Sequence, residues 1–269
     1  MRVPMADRKR VRTKDHFAEE RRHKILELLR EEGSARVVAL SDTFGVSEPT
    51  IRADLEKLER QGHIVREHGG AFLRSVAQQV RSLSLQHMEN LDRKMKIGAR
   101  AAAEIQNGDR IILDSGSTAT EVARRLHDLH DLTVITNALN IALIVGAEYS
   151  FELMVTGGEF KAPTLSLTGD KAAGFLHDLH VDRLFLATGG ISEGFDLTYP
   201  GFSDLPVKRA MVDAARIVYV VADSTKFGNA AFASLGSISC ADYLVTDSGI
   251  TRDARERLAE LGVEVLIAE

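Results

Sequence analysis

The sequence predicts an α/β chain in two parts: a small helix-turn-helix head with a wing, then a larger domain built on a parallel sheet covered on both faces. Three observations carry this. Apolar residues recur at helical spacing between glycine turns over residues 21–62, and short, wholly apolar stretches alternate with helices from residue 97 onward. Charge is also split: residues 1–74 hold 16 Lys and Arg against 13 Asp and Glu, a net +3, and the remainder is net −8. A basic head on an acidic body points one end toward a polyanion, although a solvated surface has the same composition. The length of 269 residues suits about two domains, and 44% hydrophobic with 27% charged residues excludes a disordered, collagen-like or disulfide-stapled chain.

The elements follow in order. Residues 1–20 crowd Arg8, Lys9, Arg10, Arg12 and Lys14 ahead of any apolar periodicity and predict a basic flexible arm. Ile25, Leu28 and Leu29 mark one helix face, and Gly33 ends that helix. A second short helix turns Val37, Leu40 and Phe44 inward. Gly45 supplies a positive φ, Val46 plugs the angle between helices, Ser47 caps the next helix and Pro49 sits in its first turn. The third helix, about Glu48 to Gln61, buries Ile51, Leu55 and Leu58 and leaves Thr50, Arg52, Ala53 and Glu56 wholly or partly off that stripe. After Gly62, residues 63–70 read as a hairpin or wing carrying Arg66 and His68.

A Gly turn between two helices, the second starting with small polar residues, is a helix-turn-helix whose third helix presents Ser47, Thr50 and Arg52 to a DNA major groove. A three-helix bundle without a ligand shares the helical pattern; the charge split and the Arg66/His68 wing favour DNA. Phe44-Gly-Val-Ser47, Thr50-Ile-Arg52, Asp54-Leu55, Leu58, Gly62 and Arg66-x-His-Gly-Gly-Ala71 resemble the winged helix-turn-helix of DeoR-family bacterial transcriptional repressors. Ala53, where that family usually has a second arginine, and Pro49 depart from its pattern. The first loses a phosphate contact and the second stiffens the helix start.

Residues 75–96 read as a linker, which places the head at 21–74 and the larger domain at 97–269. In the latter, 97–105 is an Ala-rich helix, 121–126 another, and apolar strands fall at 110–113, 132–135, 151–155, 184–187, 217–221, 243–245 and 263–267. Polar residues cluster just past strand ends, where open α/β sheets bind ligands. They are Asp114, Gly116, Ser117, Thr118, Thr136, Asn137, Gly157, Gly158, Gly189, Gly190 and Asp223. Asp114-Ser-Gly-Ser-Thr118 runs into a helix and reads as a phosphate cradle of small residues and hydroxyls. Lys208 and Lys226 are the candidate cations. Dinucleotide and nucleoside-triphosphate loop motifs are absent from the sequence.

Lys94-x-x-Ile97, Asp114–Thr118, Thr136-Asn137, Gly157-Gly158, Thr188–Ser192, Val207–Met211 and Ala222–Gly228 resemble the effector-binding domain of the same family. The resemblance implies a Rossmann-like α/β fold similar to ribose-5-phosphate isomerase and CoA transferases, and a phosphorylated sugar effector whose phosphate the Asp114–Thr118 loop holds. Pro206 stands where the family often has an acid, with Asp204 as the substitute, and residues 198–206 are expected to face the variable end of the ligand.

The resulting expectation is a DNA-binding regulator, a repressor of carbohydrate metabolism genes, that binds double-stranded operator DNA and a phosphorylated sugar as a homo-oligomer (dimer or tetramer). No cofactor, metal or catalytic residue is expected. The rival is a sugar-phosphate isomerase-like enzyme with a basic appendage, using Asp114, Asp223 and Lys208 for enolisation; an enzyme has no need of a helix-turn-helix and wing. The His127/His130 and His177/His180 pairs have a spacing that fits metal, yet they read as surface histidines near helix ends. The single Cys240 allows no intramolecular disulfide, no apolar run reaches the roughly 18 residues of a membrane span, and no signal-peptide stretch follows the basic start. A cytoplasmic chain without membrane contact is expected.

Overall fold

A computed structural model describes residues 18–29, 34–67, 70–73 and 87–269. Most of the basic arm, Gly33, His68, Gly69 and most of the expected linker lie outside the described residues. The chain divides into two compact units, residues 1–82 and 83–269.

In the first unit, helices α1 (18–29), α2 (Val37–Phe44) and α3 (Glu48–Arg60) accompany an antiparallel sheet of β1 (Ser34–Arg36), β2 (Ile64–Glu67) and β3 (Gly70–Leu73), in the order β1-β3-β2. The helices close on Ile25, Leu29, Val37, Leu40, Ile51, Leu55 and Leu58, and the strands add Ile64 and Ala71. Each such Ile or Leu contributes about 1.5–3 kcal/mol by leaving water. Gly45 caps α2 at φ +60, and the Ser41 hydroxyl donates to the Val46 carbonyl at 2.6 Å, which fixes the inter-helix turn. Asp54 is buried on α3 beside the apolar stripe, where it accepts from Arg21 at 2.6 Å and Arg22 at 3.0 Å, so α1 and α3 are pinned by charge as well as by packing.

The second unit holds a parallel sheet of seven strands: β4 (Arg110–Leu113), β5 (Thr133–Thr136), β6 (Glu152–Val155), β9 (Val181–Ala187), β12 (Ala215–Val221), β14 (Tyr243–Asp247) and β15 (Glu264–Ala268). Their order is β15-β14-β12-β9-β4-β5-β6. The seven expected stretches all become strands. Side chains alternate between faces with period two. Ile111 and Leu113 join the core under α4 (Leu91–Ala102), α5 (Ser117–Ala123) and α6 (Leu139–Glu148). Ile112 joins the core under α7 (Asp170–Leu176), α8 (Leu205–Ala214) and α9 (Arg252–Glu260). Phe185, Tyr219 and Tyr243 stack across β9, β12 and β14, with ring centroids 5.1 and 4.8 Å apart. After β4 the chain winds outward through β5 and β6, then returns to β9 and winds the other way. The topological switch point therefore falls between β4 and β9.

Two sequence expectations are corrected. Helix α4 begins at Leu91, inside the stretch read as linker, and stops at Ala102. Its buried face includes Lys94, a charge among apolar neighbours. Helix α5 spans Ser117–Ala123 rather than 121–126; Thr118 and Thr120, weak helix formers in its first turn, mask that start in the sequence. Two antiparallel additions had no sequence signal: the hairpin β7 (Glu159–Lys161)–β8 (Ser166–Thr168), and the sheet β10 (Gly190–Ile191)–β11 (Asp196–Tyr199)–β13 (Ala233–Ser237). Their strands of two to five residues are too short to show a period.

Candidate functional site

The switch point is organised by Asp114, the first residue past β4 and fully buried. It accepts from the Ser115 N–H at 2.6 Å and from the Ala187 N–H, at the end of β9, at 3.0 Å. It also pairs with the Lys208 ammonium, which is itself buried and reaches the Ser115 hydroxyl at 3.2 Å. Burial pushes the Asp114 carboxyl above the usual carboxylate range, and Lys208 and the two N–H groups pull it back. Lys208 lies 5.3 Å over the Tyr199 ring. This lysine, read from sequence as a candidate ligand cation, holds the loop from below.

Asn137 and Thr136 have structural partners too. The Asn137 side-chain oxygen accepts from the Ser115 N–H at 3.1 Å while its amide donates to the Leu167 carbonyl at 3.1 Å. Thr136 donates to the Leu113 carbonyl at 2.7 Å and accepts from the Ala138 N–H at 3.0 Å. Both therefore shape the loop, which turns at Gly116 with φ +136. The Ser117 hydroxyl, half-buried, and that of Thr118, buried, take no partner among the described residues. Of the candidate residues in this loop, these two remain available to a ligand.

The glycine pairs serve close backbone approach. A Cβ on Gly158 would stand 2.6 Å from the Thr168 carbonyl oxygen, and one on Gly190 would stand 2.2 Å from that of Asn229. Gly189 donates to the Thr198 carbonyl at 2.9 Å, and Gly157 turns at φ +67 with open space around it. Asp223, past β12, is buried and accepts from the Thr225 N–H at 3.0 Å; its Oδ2 has no partner. Lys226 is half-buried in the turn that follows. Asp204 does not stand open as the expected substitute acid: it is buried in an ion pair with Lys161 on β7. The sequence reading did not place Lys94 or Glu121 in the site, although both are buried on helices α4 and α5. The signal was a charged residue at a helical core position. His127, His130, His177 and His180 are all exposed.

On the head, Ser47 occupies the N-cap position of α3, but its hydroxyl pairs with that of Thr50 at 2.9 Å rather than with a backbone N–H. Arg52 is exposed and donates to Glu48 at 2.9 Å. Such an exposed i,i+4 pair is worth only about 0.3–0.5 kcal/mol, so the guanidinium leaves it readily. The Arg66 N–H donates to Glu59 at 3.1 Å, which ties β2 to α3. Ser47, Thr50 and Arg52 thus share the start of one helix, and Arg66 stands on the hairpin.

A winged helix-turn-helix joined to a parallel α/β unit with a polar loop at its switch point defines a ligand-responsive DNA-binding regulator. The model of the DeoR-like helix-turn-helix domain matches residues 21–76, and that of the DeoR C terminal sensor domain matches residues 89–248. The chain belongs to the DeoR family of transcriptional regulators. It is 34% identical over 253 residues to the HTH-type transcriptional repressor GlcR of Bacillus subtilis, covering 94% of this chain and 97% of that one. It is 31% identical over 229 residues to the glycerol-3-phosphate regulon repressor of Escherichia coli, covering 85% and 90%. Ribose 5-phosphate isomerase A of Methanocaldococcus jannaschii overlays on 51% of this chain and 55% of its own at 20% identity, with a TM-score of 0.39. The relatives' names support a regulator over the isomerase-like alternative. Among the described residues, no helix is long and apolar enough to cross a membrane.

Lys208→Met leaves Asp114 buried without its cation, and breaking such a pair costs about 3–5 kcal/mol. The carboxyl, already raised by burial, then rises further. The folded state binds its proton more tightly than the unfolded state does, so stability falls as pH rises through the folded-state value. Urea denaturation at acid and neutral pH is expected to show a smaller loss at acid pH. An equal loss at both would contradict the assigned pair.

Proposed function

We propose that the chain is a repressor of carbohydrate metabolism genes whose grip on operator DNA is controlled by a phosphorylated sugar bound at the Asp114–Thr118 loop. The supporting observation is the loop itself: it stands at the switch point, braced by Asp114, Asn137 and Lys208, and keeps the Ser117 and Thr118 hydroxyls for a ligand. Gly157, Gly158, Gly189, Gly190 and Asp223 frame the same carboxyl edge, and Lys226 supplies charge. The names of the relatives, a transcriptional repressor and a repressor of the glycerol-3-phosphate regulon, agree with it. The effector acts by shifting the population between arrangements with different operator affinity. The protein is not an enzyme, needs no cofactor, and works in the cytoplasm, where its DNA target lies. Residues 21–74 form the DNA-binding part.

In the head, the start of α3 enters the major groove with Ser47, Thr50 and Arg52, and Arg66 and His68 belong to the wing. Arg52→Ala is expected to weaken operator binding. A lost base contact removes about 1–3 kcal/mol of discrimination, whereas a lost phosphate contact flattens the salt dependence. An operator titration at several salt concentrations separates these, and unchanged affinity with an unchanged slope would remove α3 as the reading helix.

One short helix makes few base contacts, so the working unit is a homo-oligomer, dimer or tetramer, on repeated half-sites. Light scattering at micromolar concentration should report at least a dimer. A monomer that binds operator one-to-one would count against it.

Thr118→Asp places a fixed negative charge where the phosphate sits, and is expected to abolish the effector response while unliganded operator binding survives. Calorimetry against a panel of sugar phosphates decides the matter. If the variant takes the active member of the panel as tightly as the parent does, the phosphate lies elsewhere.

A further inference from the structure

A surface helix ordinarily turns an apolar stripe inward and charge outward. Helix α6 departs from that rule. Ile141 and Val145 form its buried stripe, and Asn140 and Glu148 are its only polar residues. The outward face, Leu139, Leu143, Gly146 and Ala147, follows the helical repeat and carries no charge. Leu143 is 74% exposed and Leu139 36%.

The hairpin β7–β8 extends this face. The Leu139 N–H donates to the Leu165 carbonyl at 2.8 Å and Ser166 pairs with Ala138, so β8 is docked at the start of α6. Ser166 and Ala138 are fully buried. Side chains alternate along a strand, so Leu165 and Leu167 take the opposite face, and Phe160, directly across from Leu167, shares it. Leu165 and Leu167 are half-buried, and Phe160 is 47% exposed. A ten-residue helix beside a two-stranded hairpin makes an apolar patch on the order of 300 Å², the size at which exposed apolar surface marks a protein contact. The patch alone falls short of the roughly 800 Å² that each partner of a stable interface buries. The edge of the sheet beside it supplies the rest. Strand β6 pairs with β5 alone among the described residues, and a Cβ on Gly146 of α6 would stand 3.5 Å from a Leu153 methyl of β6. The Glu152 and Thr156 N–H groups donate toward β5, so those of Leu153 and Val155 point away from the sheet. Such an open edge is a template for another strand.

We infer that this face binds a second copy of the chain about a two-fold axis near Leu143, with α6 antiparallel to its counterpart and β6 alongside the β6 of the other copy. Charge favours a second copy. Glu148 closes α6 at its C-terminal end, where the helix dipole disfavours an acid, and the antiparallel arrangement brings it to the N-terminal end of the other α6, where the dipole favours one. Antiparallel β6 strands place the two exposed Glu152 side chains at opposite ends of the pairing, so no like charges face each other. The contact uses the same patch on both copies, and so closes on itself instead of propagating. This rests on the homo-oligomer of the proposed function and adds the face that forms it.

The test is made on the full chain. Light scattering is expected to report the parent as a dimer or larger and Leu143→Asp at half that mass or less at the same concentration. A symmetric interface carries the substitution twice, so its dissociation constant should rise about a hundredfold or more. Because Leu143 is largely exposed, the variant should keep the helix content of the parent by circular dichroism. Val38→Asp, at an exposed apolar residue of the head, should leave the mass unchanged. Cross-linking gives an independent reading. In a Cys240→Ser background, which removes the one native thiol, a short-spacer bismaleimide should join Leu143→Cys into a covalent dimer and leave Lys171→Cys, exposed on α7, unjoined. Should Leu143→Asp fold poorly, the cross-link alone decides. A parent oligomer that keeps its full mass in Leu143→Asp, or that gives no Leu143→Cys cross-link, overturns the face and leaves the oligomer reading intact. A parent monomer overturns both.

Discussion

The ion pair between Asp114 and Lys208 is the constraint on which the sensor unit's site depends. A carboxylate with no exposure survives only where cation and hydrogen bonds replace its water, and here they come from three parts of the fold. Ser115 belongs to the loop after β4, Ala187 ends β9 and Lys208 belongs to α8. The same carboxylate therefore closes the crevice where the winding of the sheet reverses and sets the course of the loop that leaves it. Asn137 adds a second tether to the Ser115 N–H. The proposed effector would meet a loop already in place at Ser117 and Thr118, which lowers the ordering cost of binding.

The head uses the same device at a different scale. Asp54 is buried on α3 and takes both Arg21 and Arg22 from α1, while Glu59 on α3 holds Arg66 on the wing. Helix α3 is therefore oriented by acids on its inner and flanking faces, and Arg52 stands exposed near its start. In both units a buried acid fixes a polar segment from behind. The visible polar residues of such a segment are then of two kinds, those that hold it and those it presents.

That division explains what the sequence revealed and what it withheld. The seven parallel strands were legible because burial on both faces makes each a short apolar run, and the polar residues past their ends marked the carboxyl edge without any coordinates. The helix-turn-helix was legible from Gly45, Ser47 and the Ile51/Leu55/Leu58 stripe. Spacing did not distinguish holding from presenting. Asp114, Thr136, Asn137 and Lys208 look like ligand residues in sequence, but their hydrogen bonds run to the Leu113 and Leu167 carbonyls, to Ser115 and to one another. Lys94 had the reverse fate: it falls in the stretch that the sequence reads as linker, and only the packing of α4 shows it to be buried. The small antiparallel strands left no trace because pairs such as Gly190–Thr198 and Ile191–Leu197 lie in segments too short for a period.

The same bonding also bears on regulation against catalysis. Enolisation needs a base that reaches a substrate proton and an acid that returns it. The groups that the isomerase-like alternative would use are Asp114, Lys208 and Asp223. Both oxygens of Asp114 are occupied, and Lys208 is buried beside them, so protonating one or deprotonating the other would dismantle the loop after β4. Asp223 commits one oxygen to Thr225 and buries the other. These ionised groups are structural members of a network balanced at low dielectric, so the proposed anion would act on it strongly. Helix α4 is tied to the same edge, Asn90 donating to Thr225 and Arg93 to Ser224 in the turn after β12. Under the proposed function, a charge bound at this edge would act on the turn to which α4 is tied, shifting the population between arrangements.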